Sequence, residues 1–409
     1  MFKYYIIAIL FTNIFLFASP HIEIKSVRGI LGSFDPIEHT KVQLRAGYIN
    51  NQANGELSYS AFALSGHAHL YTKRYYGIKL GTSLYAVERF NQQTDDKLNP
   101  DFFDPEGNSF ATIVEAYIDA KWGKTDIKLG RQILDTPHMD SDDIRMMPNY
   151  FNAYRITSKN IAYLTLEAGL VDKMAGWENG VDSSKFVNIG DVLEVDSQID
   201  GIYFASAIYD GFENLSLSLW LYKYEDIANL LYAEAIYDYQ LSKERSLSVG
   251  VQYDSSKEIG KALLGEQNSN TIGISIELIL NDWDIAALFA YNHESSANGA
   301  SGLSLGGGAF FTSMEDQTLD AMESAGEAWV VGIGYKGDKI GVEGLSLGLA
   351  FGSFHADHRS NYDTTEVDAV IEYELNEKLA ITLAYANIDD KTNINNDFDQ
   401  LRVIANYNF

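Results

Sequence analysis

Apolar and polar residues alternate along most of the chain, and this period of two constrains the fold more than any other feature of the sequence. The clearest segments are 41–48, 215–222, 271–280, 379–385 and 401–409. Successive side chains of a β-strand point to opposite faces, so each segment predicts a strand with one apolar face and one polar or small-residue face. A soluble β-sandwich shows the same alternation. The pattern alone therefore leaves a sandwich and a barrel open.

The chain begins with a mostly apolar run. Lys3 precedes apolar residues 4–17, and small residues follow. This order predicts a secretory signal peptide over 1–18 and a single domain over 19–409. A transmembrane anchor is the alternative, but the run is shorter than the roughly 20 residues that a helical span needs. No apolar run of that length recurs, so a membrane protein built from the remainder would have to be a closed barrel.

The lengths of the connections separate a barrel from a sandwich. Short connections alternate with long ones, of which the longest are 91–110, 135–149, 172–198, 255–270 and 292–327. Outer-membrane barrels have short periplasmic turns and long extracellular loops, whereas a sandwich has no reason to sort its loops in this way. The sequence therefore predicts an all-β fold, a transmembrane antiparallel β-barrel of about 18 strands with loops folded inward to narrow the pore.

Charge and composition exclude several classes of function. The 409 residues include 30 Lys and Arg against 57 Asp and Glu, a formal net charge of −27, and no Cys. Disulfides, thiolate metal sites and cysteine nucleophiles are excluded, and the acidic balance argues against nucleic-acid binding. The expected partners are lipid and lipopolysaccharide of a Gram-negative outer membrane and small solutes in transit. The sequence leaves open whether the protein forms a homo-oligomer, and no cofactor is expected.

If the apolar faces contact lipid, the opposite faces line the pore and carry its charges. The predicted basic ladder is Lys41, Arg45, Arg155 and Arg402. The predicted acidic wall, on the sixteenth of the predicted strands, is Glu366, Asp368, Glu372 and Glu374. Opposed walls of this kind would create a transverse field that orients a solute. The alternative is that a watery lumen simply tolerates charge of either sign.

The loop within 129–156 has the composition of a constriction. The predicted constriction residues are Asp140, Asp142, Asp143 and Arg145. The apolar pair Met146–Met147 follows them directly. A loop folded into a barrel could pack such methionines on the inner wall while its charges face the opening. A surface loop with incidental methionines is the alternative.

This segment resembles a known family. The motifs LGRQ (129–132), TP (136–137) and DDIRMMPN (142–149) are similar to the loop-3 region of OprD-type outer-membrane porins, and 306–329 looks like their loop 7. The resemblance implies an 18-stranded barrel, narrowed by loops 3 and 7, with a ladder of basic side chains that guides solutes bearing carboxylates. The present chain departs from that pattern in its strong acidity and its shorter ladder, which favours cations or zwitterions.

Other motifs give weaker signals. His67 and His69 share one face of a strand and could chelate a metal, but the sequence shows no third ligand within reach, so no metal site is predicted. The acidic segments 140–143 and 390–399 do not match the spacing of a calcium loop. The leading function is passive diffusion of small hydrophilic solutes such as amino acids, small carboxylates and ions. A barrel hydrolase with a Ser-His-Asp arrangement and a structural or adhesive surface barrel are the alternatives.

Overall fold

The computed structural model describes residues 37–53, 58–90, 97–393 and 396–409. The predicted signal peptide, residues 1–18, lies outside these ranges. Within them, no helix is both long and apolar enough to cross a membrane.

The described residues form nineteen strands, separated by turns and loops. The strands are β1 (Ile37–Ala53), β2 (Ser58–Thr72), β3 (Ile78–Arg89), β4 (Phe110–Trp122), β5 (Thr125–Gln132), β6 (Tyr150–Ser158), β7 (Leu164–Ala175), β8 (Val187–Asn188), β9 (Ile202–Phe212), β10 (Leu215–Tyr224), β11 (Ala228–Ser242), β12 (Arg245–Glu258), β13 (Asn268–Leu280), β14 (Ile285–Glu294), β15 (Gly326–Lys336), β16 (Leu345–Ala356), β17 (Asp363–Asn376), β18 (Leu379–Asp390) and β19 (Phe398–Asn408). The helical segments are α1 (Ile189–Val192) and the 3-10 turns Pro100–Phe102, Trp177–Asn179, Leu319–Met322 and Asp338–Ile340.

Every strand but β8 belongs to one closed antiparallel barrel. Each pairs with its neighbours in the chain, β7 pairs directly with β9, and β1 pairs with both β2 and β19. The two-residue strand β8 only extends one end of β7. The pairing of β1 with β19 leaves neither strand as a free edge, which is the condition for a sheet to cross a membrane. The predicted fold, a barrel of about 18 strands, is confirmed.

The two ends of the barrel differ in the length of their connections. One end has the turns 123–124, 213–214, 243–244, 281–284 and 377–378, and the other has the loops 133–149, 176–201 and 295–325. The described chain starts at residue 37 and finishes at Phe409 at the short-turn end, where Asn408 N–H donates to the carbonyl of Lys378. This is the arrangement of periplasmic turns and extracellular loops in outer-membrane barrels.

The exposure of adjacent residues in one strand distinguishes the outer face of the barrel from the inner face. Leu44 is 50 % exposed on the outer surface, whereas the neighbouring Arg45 is 2 % exposed inside. Large apolar side chains cover the outside of the other strands in the same way, among them Leu84, Ile118, Ile274, Leu349 and Ile371. Exposed apolar side chains at this density form a band that hydrocarbon tails would cover.

The long loops fold into the barrel because their apolar side chains pack on its inner wall. Met146 clusters with Ile49 and Phe102, and Met147 with Tyr85. In the loop 295–325, Phe310, Met314, Leu319 and Met322 pack on inward residues of β14, β15 and β16. Loop segments therefore occupy part of the barrel interior and are packed there through buried apolar clusters.

Candidate pore constriction

Two of the inward loops are joined to each other inside the barrel. Met139 and Leu305 form a parallel bridge. The Asp140 N–H donates to the Leu305 carbonyl at 2.9 Å, and the Leu305 N–H donates to the His138 carbonyl at 2.9 Å. The chain then turns sharply at Gly306, Gly307 and Gly308, whose φ angles of 101°, 62° and 74° are in the region that glycine enters without strain. The joined loops form one side of the constriction.

The opening beside these loops is a cavity of about 220 Å³. Residues of the loops 133–149, 176–201 and 295–325 border it, together with residues of β17, β18 and β19. The acidic side chains that line it are Asp142, Glu178, Glu315, Asp316, Asp320 and Glu372. Arg402 is the basic residue in the same lining. Among the described residues, acidic side chains therefore outnumber basic ones in the lining of this cavity.

Arg45 holds the loop 133–149 against the barrel wall. Its Nη1 and Nη2 donate to the two carboxylate oxygens of Asp143 at 2.6 and 2.8 Å, and Nη1 also donates to the Arg145 carbonyl at 2.6 Å. Its Nε donates to Asn406 Oδ1 on β19 at 2.8 Å. A bidentate, nearly buried pair of this kind fixes geometry as well as charge. Arg45 and Asp143, predicted as ladder and constriction residues, are thus brought together as an anchor.

Arg145 is buried behind the opening. Its guanidinium carbon lies 4.2 Å from the centre of the Trp177 ring, and its Nε lies 3.5 Å from Asp101 Oδ2. Burial, and then the positive charge of Arg402, lower the pKa of Arg145. The stacking on Trp177 links the loop 133–149 to the loop 176–201 and places Glu178 at the cavity.

The carboxyl groups of these loops are largely buried away from water. Burial raises the pKa of Asp140 to about 6 and that of Glu178 to about 7, although Glu178 accepts a hydrogen bond from Asn149 Nδ2 at 2.5 Å. Burial, and then the charge of Glu178, raise the pKa of Asp142 well above its usual range. The charge of Asp140 and Glu178 therefore changes near neutral pH, because desolvation disfavours the ionised form.

The predicted acidic wall is divided between two roles. Glu366 and Asp368 are 0 % exposed. Glu366 accepts hydrogen bonds from the N–H groups of Asp316 and Gln317 at 3.0 and 2.8 Å, and Asp368 accepts from the Glu315 N–H at 3.3 Å. The loop 295–325 therefore covers these two carboxylates, which anchor it. Glu372 lines the cavity, and Glu374 is exposed nearer the short-turn end.

The predicted basic ladder is likewise spread out. Arg402 lines the cavity and donates from Nη2 to Glu315 Oε2 at 2.7 Å. Lys41 lies nearer the short-turn end, paired in register with His69. Arg155 lies on β6, with its Nε 3.5 Å from Glu167 Oε2, and does not border the cavity. Of the four, only Arg402 reaches the cavity, because Arg45 is covered by the loop it binds.

Sequence reasoning missed several acidic residues of the lining. Glu315, Asp316 and Asp320 lie within the segment that resembles loop 7, so the resemblance marked their loop but not their side chains. Glu178 follows Trp177 in a long loop, and contacts with the loop 133–149 place it at the cavity: the stacking of Arg145 on Trp177 and the hydrogen bond from Asn149. Contacts between separate loops have no period, so the sequence pattern could not reveal them.

A buried Ser-His-Asp arrangement lies beside the constriction. His138 Nε2 is 2.8 Å from Asp254 Oδ2 on β12, and His138 Nδ1 is 3.0 Å from Ser304 Oγ. His138 and Asp254 are 1 % and 0 % exposed. The imidazole is reversed relative to a serine hydrolase, in which the carboxylate meets Nδ1 and the serine meets Nε2. The three residues tie both inward loops to the barrel wall.

Comparison with known proteins decides the family. The family model of the outer membrane porin, OprD family, matches residues 74–409, which is most of the chain. The chain belongs to the OprD family of outer membrane porins. This OprD-family porin is accordingly a channel of the Gram-negative outer membrane that contacts outer-membrane lipid and the solutes in transit.

Solved structures share the fold of this OprD-family porin. A structure of OpdK from Pseudomonas aeruginosa with vanillate is 18% identical, has a TM-score of 0.77 and aligns over 90% of this chain and 98% of its own. A BenF-like porin from Pseudomonas fluorescens Pf-5 is 18% identical with a TM-score of 0.78 and the same coverage. OccAB3 from Acinetobacter baumannii is 14% identical with a TM-score of 0.75, again over 90% and 98%. A search of curated proteins found no match.

Proposed function

We propose that this porin is a passive diffusion channel for small hydrophilic solutes, with a mild preference for cations and zwitterions and no catalytic activity. The observation that carries the proposal is the lining of the constriction, where six acidic side chains accompany a single arginine. Neutral and singly charged amino acids and small carboxylates are the solutes that such an opening would orient.

The size of the electrostatic effect supports a preference and argues against strict selection. A carboxylate about 6 Å from a cation in wet surroundings contributes about 0.7 kcal/mol, and salt reduces this further. Part of the acidic lining is also protonated near neutral pH, since burial raises the pKa of Glu178 to about 7. Several such groups bias the current by a few-fold without excluding anions.

Orientation of a zwitterion follows from the positions of the charges. Arg402 on β19 lies at the cavity with its guanidinium paired to Glu315. Glu372 on β17 borders the same cavity. An amino acid could direct its carboxylate to Arg402 and its ammonium group to Glu372 as it passes. OpdK was crystallised with vanillate, and by the same geometry a small carboxylate would pass here on the Arg402 side.

The Ser304–His138–Asp254 arrangement supports a structural role over the hydrolase alternative. The imidazole is buried and reversed, and it connects two loops to β12. Replacing Ser304 with Ala in the purified porin should leave a working channel, because the backbone bridge between Met139 and Leu305 still joins the two loops. Hydrolysis of small esters by the wild type that disappears in Ser304→Ala would overturn the assignment of no catalysis.

Planar-bilayer recording tests the channel directly. We expect single-channel steps, a reversal potential in a salt gradient that shows mild cation preference, and faster liposome swelling with lysine or alanine than with aspartate. Deletion of 138–146 should raise conductance, because the segment occupies the lumen. Absence of steps, or anion preference in the wild type, would contradict the proposal. Unchanged conductance after the deletion would remove the role given to the loop.

A further inference from the structure

Three inward side chains gather on the two strands that flank β3, on the short-turn side of the constriction. His67 and His69 lie on β2, and Glu115 lies on β4. His69 pairs in register with Ser83 on β3, and Ser83 pairs with Glu115. Directly paired residues of antiparallel strands share a face, so the groups lie side by side in the lumen.

A β-bulge brings Glu115 into this group. The register of β3 with β4 shifts between Ser83 and Leu84, and Val114 and Glu115 are both buried on the inner face. A regular alternation through Val114 would direct Glu115 to the lipid. Bulges re-aim side chains in this way. The sequence pattern showed no third ligand for the two histidines because it does not reveal the bulge.

The three side chains have the spacing of a metal site. One ligand atom from each lies within 4.8 Å of the others, and His69 Nδ1 is 3.2 Å from Glu115 Oε2. Nε2 of His67 and Nε2 of His69 are buried without hydrogen-bond partners. His67 stacks on Tyr85 with ring centres 4.2 Å apart, which fixes its ring plane. Unpartnered imidazole nitrogens in a polar setting are poised to bind a ligand.

We propose that His67, His69 and Glu115 form a binding site for a divalent transition-metal ion of the Zn²⁺ class. Two imidazoles and one carboxylate are the donor set of many zinc sites that keep a position open for water or another ligand. Tetrahedral zinc with ligands at about 2.1 Å needs them about 3.4 Å apart, so small side-chain rotations complete the site. Hard ions such as Mg²⁺ prefer all-oxygen ligands and are excluded by this donor set.

Nearby basic residues limit the affinity of the site. Lys41 is paired in register with His69, and Lys79 and Lys128 are also inward on neighbouring strands. Their charges repel a cation, so binding is weaker and more reversible than at a buried structural zinc. Such a site suits an ion that enters and leaves through the pore.

The position of the site gives it an effect on permeation. Arg45 at the constriction pairs with Ser65, and His67 and His69 lie two and four residues further toward the short-turn end, about 7 and 13 Å along the strand. A bound dication there adds positive charge just below the acidic constriction. Occupancy should therefore lower the current of small cations and move the reversal potential toward anion preference.

Metal binding can be measured on the full-length porin in detergent, without any transport assay. Equilibrium dialysis with Zn²⁺, with Mg²⁺ as the comparison ion, is applied to the wild type, His69→Gln, Glu115→Gln and the control His358→Gln, in which the histidine is exposed on a loop. The shift in electrophoretic mobility on heating verifies that each variant is a folded barrel. Planar-bilayer recording with Zn²⁺ added on the short-turn side gives a second readout.

The expected result is one saturable Zn²⁺ per chain in the wild type and in His358→Gln. The affinity should fall on the order of tenfold or more in His69→Gln and Glu115→Gln. Zn²⁺, but not Mg²⁺, should shift the reversal potential of the wild type and of His358→Gln, and should leave that of His69→Gln and Glu115→Gln nearly unchanged. No Zn²⁺ binding by the wild type, or equal binding by the folded variants, overturns the site. Because dialysis does not depend on the solutes that pass, its failure leaves the proposed channel function unaffected.

Discussion

Arg402 on β19 and Glu315 in the loop 295–325 form an ion pair in the lining of the constriction, with 2.7 Å between Nη2 and Oε2. The same loop is anchored by Glu366 on β17 through two backbone N–H groups. The loop that narrows the pore is therefore fixed to two strands of the wall, β17 and β19, and the size of the opening depends on a few charged contacts.

Replacing Glu315 with Gln should loosen this loop and raise single-channel conductance. The variant leaves the buried guanidinium of Arg402 without a charged partner, a loss of about 3 kcal/mol in a fully buried pair, and the loop gains freedom to move. Single-channel recording should show larger and noisier steps than in the wild type. Glu323→Gln, an exposed position in the same loop, is the control. Identical conductance in both variants would show that the pair does not hold the loop.

Replacing Arg45 with Met should release the loop 133–149. The change removes the bidentate contact with Asp143 and the bond to the Arg145 carbonyl, while keeping a long side chain on the inner wall. We expect higher conductance and faster proteolysis within the loop. Lys41→Met, four residues along β1, is the matched control and should leave the loop protected. Equal protection in Arg45→Met would contradict the anchoring role.

Cation preference should increase between about pH 5 and pH 8. Burial raises the pKa of Glu178 to about 7, so this carboxyl is neutral at the lower pH and charged at the higher one. The pKa of the neighbouring Asp142 is also raised by burial. Each charge gained at the constriction alters the permeability ratio by up to about threefold. Reversal potentials measured across this pH range in Glu178→Gln should change less than in the wild type. A pH-independent wild type would contradict the assignment.

Two acidic residues of one strand should differ in their effects. Glu372→Gln removes charge from the cavity wall, so the reversal potential should move toward anions with little change in conductance. Glu366→Gln weakens the bonds that hold Asp316 and Gln317, so conductance should change more than selectivity. Glu343→Gln in a short turn is the control for surface charge. Equal shifts in reversal potential from Glu366→Gln and Glu372→Gln would mean that both face the pore.

The barrel itself was predictable because its signal is local. Alternation on β1 separates outward Leu44 from inward Arg45, and loop lengths separate the two ends. Both features repeat along the chain, so errors at single strands do not alter the conclusion. The inward loop was also predictable, because Met146 and Met147 are an unusual apolar pair in a loop that is otherwise rich in charged residues.

The roles of individual charges were less predictable, because they depend on contacts between distant segments. Glu366 and Glu372 have the same phase on one strand, yet a loop covers the first and leaves the second at the cavity. Glu115 changes face through a single bulge. Neither the covering loop nor the bulge alters the local composition, so alternation could place these residues inside or outside but could not assign their partners.

The seam between β1 and β19 has a consequence for biogenesis. It runs from Gln43 paired with Asn408 to Ala53 paired with Phe398. It therefore joins the first barrel strand to be synthesised with the last. Until the C-terminal strand arrives, the growing sheet has two unpaired edges that could aggregate with other chains. The loops that fill the lumen also have to enter before the wall seals. We therefore expect truncation before residue 398 to yield an aggregation-prone chain that depends on chaperones, and not a smaller pore.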